Sequence, residues 1–172
     1  IGTTKRGIGP CYSDKATRSG IRAADLLDFD RLRNRIEMAL PQKNRELAYF
    51  GLAEYTVDEL MDLCAKWNER FGHMLIDTLP VVRQAYEENK SILLEGQLGV
   101  MRDLDWGIYP YTTSSSPTSG GAAVGSGLGP RRIDHVIGVT KVYSTSVGGG
   151  PFMTELLDET AEKLRAIGGE YG

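Results

Sequence analysis

The sequence is poor in the residues that ligate metals, attack substrates or cross-link chains: among 172 residues there are 2 cysteines and 2 histidines. Cys11 and Cys64 are far apart, show no Cys-x-x-Cys spacing and have too few histidine partners for a zinc site. They read as two free thiols in a reducing cytoplasm. His73 and His135 fall in apolar stretches, where a structural histidine is the ordinary outcome, and neither is assigned a role. No Ser/His/Asp or Cys/His constellation can be assembled, and a Gly-x-x-x-x-Gly-Lys-Ser/Thr phosphate loop is missing. Positive charge is not in excess: the net charge of -3 argues against a dedicated nucleic-acid binder, which carries a basic face or stripe. No apolar run approaches the roughly 20 residues of a membrane span, and nothing resembles a signal peptide. The chain begins at Ile1 rather than Met and stops at Gly172 beside a glycine-rich turn, so both ends look cut.

What is present is an ordinary globular composition, 41% apolar, at a length that fits one domain. Residues 1–22 combine Gly2, Gly7, Gly9 and Gly20 with Lys5, Arg6, Lys15, Arg18 and Arg22, which predicts a flexible cationic surface segment of the kind that holds anions. From Asp25 to about Phe50, Leu26, Leu27, Leu32, Ile36 and Leu40 recur on one helical face, with Asp25 or Asp28 as cap and Pro41 as an interruption. Thr56-Val-Asp-Glu59 is a capping box, and apolar residues from Val57 to Val82 then predict one long amphipathic helix kinked near Pro80. Ser91–Glu95 has the profile of a buried parallel strand, Asp134–Thr145 is strand-like, and a short helix closes the chain from about Leu156 to Ile167. Helix, strand and glycine in succession predict α/β architecture. Between Gly96 and Gly150 lie 12 of the 21 glycines, yet Trp106, Tyr109, Tyr111, Val124 and Leu128 interleave with them, so the region reads as ordered loops rather than a linker.

A phosphate needs fixed donors, and a backbone presents several N–H groups only where no Cβ obstructs the approach. Ser115–Gly121, leading into Ala122-Ala-Val124, meets that need; an ordinary N-capped helix is the alternative. Thr4 and Arg18 bracket Gly7-Ile-Gly-Pro10, a turn that can fold the chain back and bring hydroxyl and guanidinium to one anion; a solvated basic loop is the alternative. Asp103 and Asp105 straddle Leu104 at a spacing that serves either a metal or a turn, with turn chemistry the better fit.

Gly7-Ile-Gly-Pro-Cys-Tyr-Ser-Asp-Lys-Ala-Thr-Arg18 closely resembles the second signature of the adenylosuccinate synthetases, Gly-Ile-Gly-Pro-x-Tyr-x-x-Lys-x-x-Arg. The resemblance continues in register through Gly20–Asp25, Leu94–Gly96, Tyr109–Ser115, Ser126–Arg131, Lys141–Thr145 and Val147–Phe152. It implies an α/β fold: a fragment, residues 1–172, of a P-loop-like single large domain with a mainly parallel central sheet and a helical subdomain. The amino-terminal phosphate loop and the carboxy-terminal guanine-binding part would lie outside it. It also implies a ligase of AMP biosynthesis that joins L-aspartate to IMP with GTP and Mg2+, cytoplasmic and homodimeric, with no nucleic-acid or membrane partner. The isolated fragment would be inactive.

Carried over residue by residue, the IMP-binding positions would be Thr4, Arg18, Thr113, Gln97, Leu98, Val147 and Gly148, with Arg18 reaching across the dimer interface into the partner's IMP site. Lys15 matches the lysine of the signature and is the one candidate for a catalytic role; no metal ligand is carried over. Two departures stand out. Glu95-Gly-Gln-Leu-Gly99 replaces the family's usual Glu-Gly-Ala-Gln-Gly, which puts Gln97 one place early and Leu98 in the ligand position, and Ser146 stands where arginine is usual. They leave a second reading open, a divergent non-catalytic relative that keeps nucleotide binding or dimerisation.

Overall fold

The computed structural model describes residues 2–170, and contacts divide them into two compact units. Gly9–Val81 forms one; the described residues on either side of it form the other.

In the Gly9–Val81 unit the first element is a helix, α1 (Ile8–Thr17). The segment expected to be a flexible loop with a fold-back turn at Gly7–Pro10 is therefore helical. Gly7 takes a left-handed φ of 79° just before the helix, and Pro10 lies in its first turn, where a missing N–H costs nothing. A 3-10 turn follows at Ala23–Leu27, organised by the buried Asp25 carboxylate, which accepts from the Arg22 backbone N–H at 2.7 Å and from Arg31 Nε at 2.8 Å.

Helix α2 (Phe29–Tyr49) is capped by Asp28, whose carboxylate accepts from Arg31 N at 3.0 Å. It continues past Pro41, which was expected to interrupt it. The hydrogen bond lost at proline is offset on both sides. Upstream, Leu32, Ile36 and Leu40 are buried; downstream, the Asn44 side chain clamps the Tyr55 backbone, donating to its carbonyl at 2.7 Å and accepting from its N–H at 3.1 Å.

Helix α3 (Val57–Phe71) starts at the expected capping box: Glu59 N–H donates to Thr56 Oγ1 at 3.2 Å and Thr56 N–H to Glu59 Oε2 at 2.7 Å. Met61 and Cys64 of α3 close the core against Leu26, Leu32, Ile36 and Leu40, with Val57, Leu60, Phe71 and Leu75 at its margin. The single long helix expected to Val82 ends instead at Phe71, where a 3-10 turn, Gly72–Met74, takes over. A second helix, α4 (Thr78–Glu87), begins afresh with Pro80 in its first turn, so the apolar periodicity spans two helices rather than one kinked at Pro80.

The other unit carries α5 (Ser119–Ser126), ended by Gly127 at φ 75°, and α6 (Glu159–Gly168). The latter starts later than expected because Asp158 caps it, accepting from Thr160 N at 2.9 Å and Ala161 N at 3.2 Å. No strand is present among the described residues, against the expectation at 91–95 and 134–145. Apolar patterning marks a segment able to join a sheet, but a strand exists only through a hydrogen-bonded neighbour, and here none pairs with either segment. Their apolar side chains stand accordingly in the open, Leu93 88% and Val139 95% exposed. The central sheet is thus not seen among the described residues. No helix among them is long and apolar enough to cross a membrane.

Candidate functional site

One feature has the charge to suit an anionic ligand, a cation-lined pocket; the other is the braced loop that bears Thr113. In the Gly9–Val81 unit, Lys15, Arg18, Arg22 and Arg35 line a pocket of about 220 Å³ together with Gly20. Among the described residues none of the four cations is in an ion pair. Like charges crowded round one cavity repel, and an anion relieves that repulsion. A neighbouring charge is used structurally, Lys43 on α2 pairing with Asp14 on α1 at 2.9 Å, while within the pocket Arg35 Nη1 donates to the Arg18 carbonyl at 3.4 Å.

Arg18 follows the last residue of α1 and carries a left-handed φ of 64°. Its turn is closed by Ser19 N–H and Gly20 N–H, both donating to the Asp14 carbonyl, at 3.0 and 3.1 Å. That position normally falls to glycine. An arginine there carries a backbone strain that glycine would not. Lys15 is exposed, with Nζ 5.7 Å from the centre of the Tyr12 ring.

In the other unit the site is built round a buried carboxylate. Asp103 is 1% exposed and accepts from Ser116 Oγ at 2.5 Å, Asp105 N at 2.9 Å and Trp106 N at 3.0 Å. The Asp103/Asp105 pair is turn chemistry, as its spacing suggested. Backbone rungs extend the turn: Thr113 N–H donates to the Arg102 carbonyl at 2.8 Å, and Leu104 N–H to that of Ser115 at 3.3 Å. Thr113 is thereby held, half-buried, on a loop braced from both ends.

The Ser116 hydroxyl, followed by the Trp106 N–H, holds the Asp103 carboxyl below the usual aspartate range against the opposing effect of burial. Between the folded and unfolded pKa values the unfolded chain binds more protons, so stability rises with pH there. The contribution is complete above the unfolded aspartate value, about 3.9, and is lost as pH falls through the depressed folded value. Melting curves between about pH 5 and pH 3 should show the parent losing more stability than an Asp103→Asn variant; equal losses would remove Asp103 from the acid-sensitive set.

Glycines bring the remaining segments to this loop. A Cβ on Gly150, whose φ is 116°, would sit 2.6 Å from Tyr111 Cγ, and one on Gly2 would sit 2.6 Å from Gly148 Cα. The amino-terminal segment that bears Thr4, the loop that bears Thr113 and the segment that bears Val147 and Gly148 are therefore linked through these close approaches. Thr4, Val147 and Gly148 are exposed. Gln97 and Leu98 are also exposed, with Leu98 at a left-handed φ of 71°. Thr4 lies in this unit and Arg18 in the other.

A family model described as adenylosuccinate synthetase matches residues 1–172. The chain belongs to the adenylosuccinate synthetase family. It is 47% identical to an adenylosuccinate synthetase of Fusobacterium nucleatum, over 100% of this chain and 41% of the relative. With that of Frankia alni the identity is 50%, over 100% of this chain and 40% of the relative. The structure of fully ligated adenylosuccinate synthetase from Plasmodium falciparum superposes with a TM-score of 0.87 at 38% identity, covering 99% of this chain and 40% of that one. The chain thus spans about two fifths of the length of the family members it matches.

Some members of the site escaped sequence reasoning. The sequence pattern places Arg35 only within a helix; its signal is a cation next to Ile36 on the flank of an apolar face. Ser116 was one hydroxyl among many, and only the Asp103 contact distinguishes it.

Proposed function

We propose that this chain is the IMP-binding part of a ligase that joins L-aspartate to IMP, with GTP converted to GDP and phosphate, giving adenylosuccinate for AMP biosynthesis. Membership of the adenylosuccinate synthetase family supports the reaction class. The observation that carries the site is the pocket lined by Lys15, Arg18, Arg22 and Arg35, whose unpaired cations suit a nucleotide 5′-phosphate.

In this reading Arg18 acts in trans, its guanidinium completing the IMP site of the other protomer in a cytoplasmic homodimer. Thr4 and Thr113 donate hydroxyl hydrogen bonds to the phosphate of the IMP held by their own protomer, and Val147 and Gly148 lie along that ligand's sugar or ring. Phosphoryl transfer asks mostly for positioning and electrostatic stabilisation, and these residues would supply the positioning on the IMP side. Lys15 adds positive charge beside Arg18.

Among the described residues no three or more His, Cys, Asp or Glu side chains gather as a metal site. We place the ligands of Mg2+ and most of those of GTP elsewhere in the complete protein. The partner strands that would make 91–95 and 134–145 part of a mainly parallel sheet in a P-loop-like α/β domain belong there too.

A second reading, a non-catalytic relative that retains nucleotide binding, is favoured by Leu98, which presents an apolar side chain 62% exposed where an IMP-reading glutamine is expected. Calorimetric titration of IMP into the complete protein, followed by adenylosuccinate formation near 280 nm with GTP, aspartate and magnesium, separates the two. Turnover is the expected result. Binding without turnover would establish the second reading, and absence of both would overturn the site.

A further inference from the structure

We propose that Arg102 is the positioning residue of the IMP site, a clamp that sets the Thr113 loop against the Ser146–Gly148 segment. The inference rests on the reading of Thr113, Val147 and Gly148 as IMP contacts and adds to it a residue that touches no ligand in that reading.

Arg102 is bonded to three places at once. Nη1 donates to the Tyr111 carbonyl at 2.6 Å, Nη2 donates to Ser146 Oγ, and its own carbonyl accepts from Thr113 N–H at 2.8 Å. The first and third bonds straddle Thr112 and fix the chain on both sides of it; the second reaches 44 residues along the sequence to the residue before Val147.

A guanidinium is a rigid planar fork, so bonds from two of its nitrogens fix the separation of their acceptors as well as holding each one. The clamp is braced at its root. Its neighbour Asp103 is buried and takes three hydrogen bonds, which anchors the main chain from which Arg102 projects. Tyr111 is also the residue that Gly150 abuts, so the two segments meet on both sides of Val147 and Gly148.

Arg102 forms no ion pair among the described residues, and a pair would offer a simpler account of a half-buried arginine. Its hydrogen-bond partners are instead a backbone carbonyl and a hydroxyl in the two segments that would hold the ligand. Small displacements of such groups cost large factors in binding and rate.

The test is steady-state kinetics on the complete protein with Arg102→Met, Arg102→Lys and, in parallel, Thr113→Ala. Methionine keeps much of the length and removes the donors; lysine keeps a charge and one donor point but not the fork. Arg102→Met should raise the KM for IMP about tenfold, equivalent to about 1.4 kcal/mol, while the KM for GTP stays within about twofold. Arg102→Lys should recover part of the loss.

An IMP KM unchanged in Arg102→Met while Thr113→Ala raises it would overturn the clamp and leave the IMP reading standing. No change in either variant would overturn both. A uniform fall in activity that tracks the folded fraction, with both KM values unmoved, would make Arg102 a merely structural residue and also overturn the proposal. Should Arg102→Met fail to fold, Arg102→Lys and Ser146→Ala decide: both should raise the IMP KM selectively, and no rise in either overturns the clamp.

Discussion

Replacing Arg18 with glycine is expected to make the complete protein more stable and a poorer binder of IMP at the same time. The left-handed φ of 64° costs a side-chain-bearing residue roughly 1–2 kcal/mol, which glycine does not incur. Glycine's greater freedom in the unfolded chain returns roughly 0.5–1 kcal/mol of that, so the net gain should be about 0.5–1 kcal/mol. Loss of a charge-assisted phosphate contact should weaken IMP binding by about 1.5–3 kcal/mol, or roughly ten- to hundredfold. Arg18→Ala separates the two effects: it loses the guanidinium and keeps the strained backbone, so its affinity should match that of the glycine variant while its melting temperature does not rise. Thermal melting and IMP calorimetry on the three proteins check this. Unchanged affinity in both variants would remove Arg18 from the phosphate site, and equal stability of the glycine and alanine variants would remove the strain argument.

Leu32→Ala should destabilise the protein by about 2–5 kcal/mol, the range for deleting a fully buried leucine. Leu32 is 0% exposed, and it lies in a core cluster formed, among the described residues, by the buried side chains of Leu26, Leu32, Ile36, Leu40, Met61 and Cys64. Against a typical total stability of about 5–15 kcal/mol, that loss removes a large share of the margin. The same helix provides its own control. Met38 is 79% exposed, so Met38→Ala should stay within about 0.5 kcal/mol. Urea midpoints at constant slope give both numbers, and comparable losses for the two variants would misassign the buried face of α2. Because Arg35 lies between Leu32 and Ile36 on that helix, the core also sets where one wall of the cationic pocket stands.

The parts of this molecule that were legible in its sequence are those determined by near neighbours. Thr56 and Glu59 are three residues apart, and the capping box they form is read directly from that spacing. The apolar spacing Leu32, Ile36, Leu40 gave the buried face of α2. Pro41 misled because its cost is local while the offset from Asn44 and Tyr55 spans 11 residues. The break at Gly72 was hidden because α3 and α4 both continue the same apolar period. For the segments 91–95 and 134–145, composition reports the ability to pair and not the presence of a neighbour. Within the site, the signature Gly7–Arg18 pointed to Lys15 and Arg18, and the structure adds Arg22 and Arg35 around the same pocket. Nothing in local sequence announced that Arg102 meets Ser146, since a contact across 44 residues leaves no periodic trace.

The two thiols differ in a way that lends itself to spectroscopy. Cys64 is buried on α3 and burial pushes its thiol upward, away from the reactive thiolate, whereas Cys11 is exposed on α1. Of these two thiols, a maleimide dye at neutral pH would therefore attach to Cys11 and spare Cys64. The fluorophore would ride on the helix whose far end presents Arg18, a natural reporter of what happens when an anion arrives there.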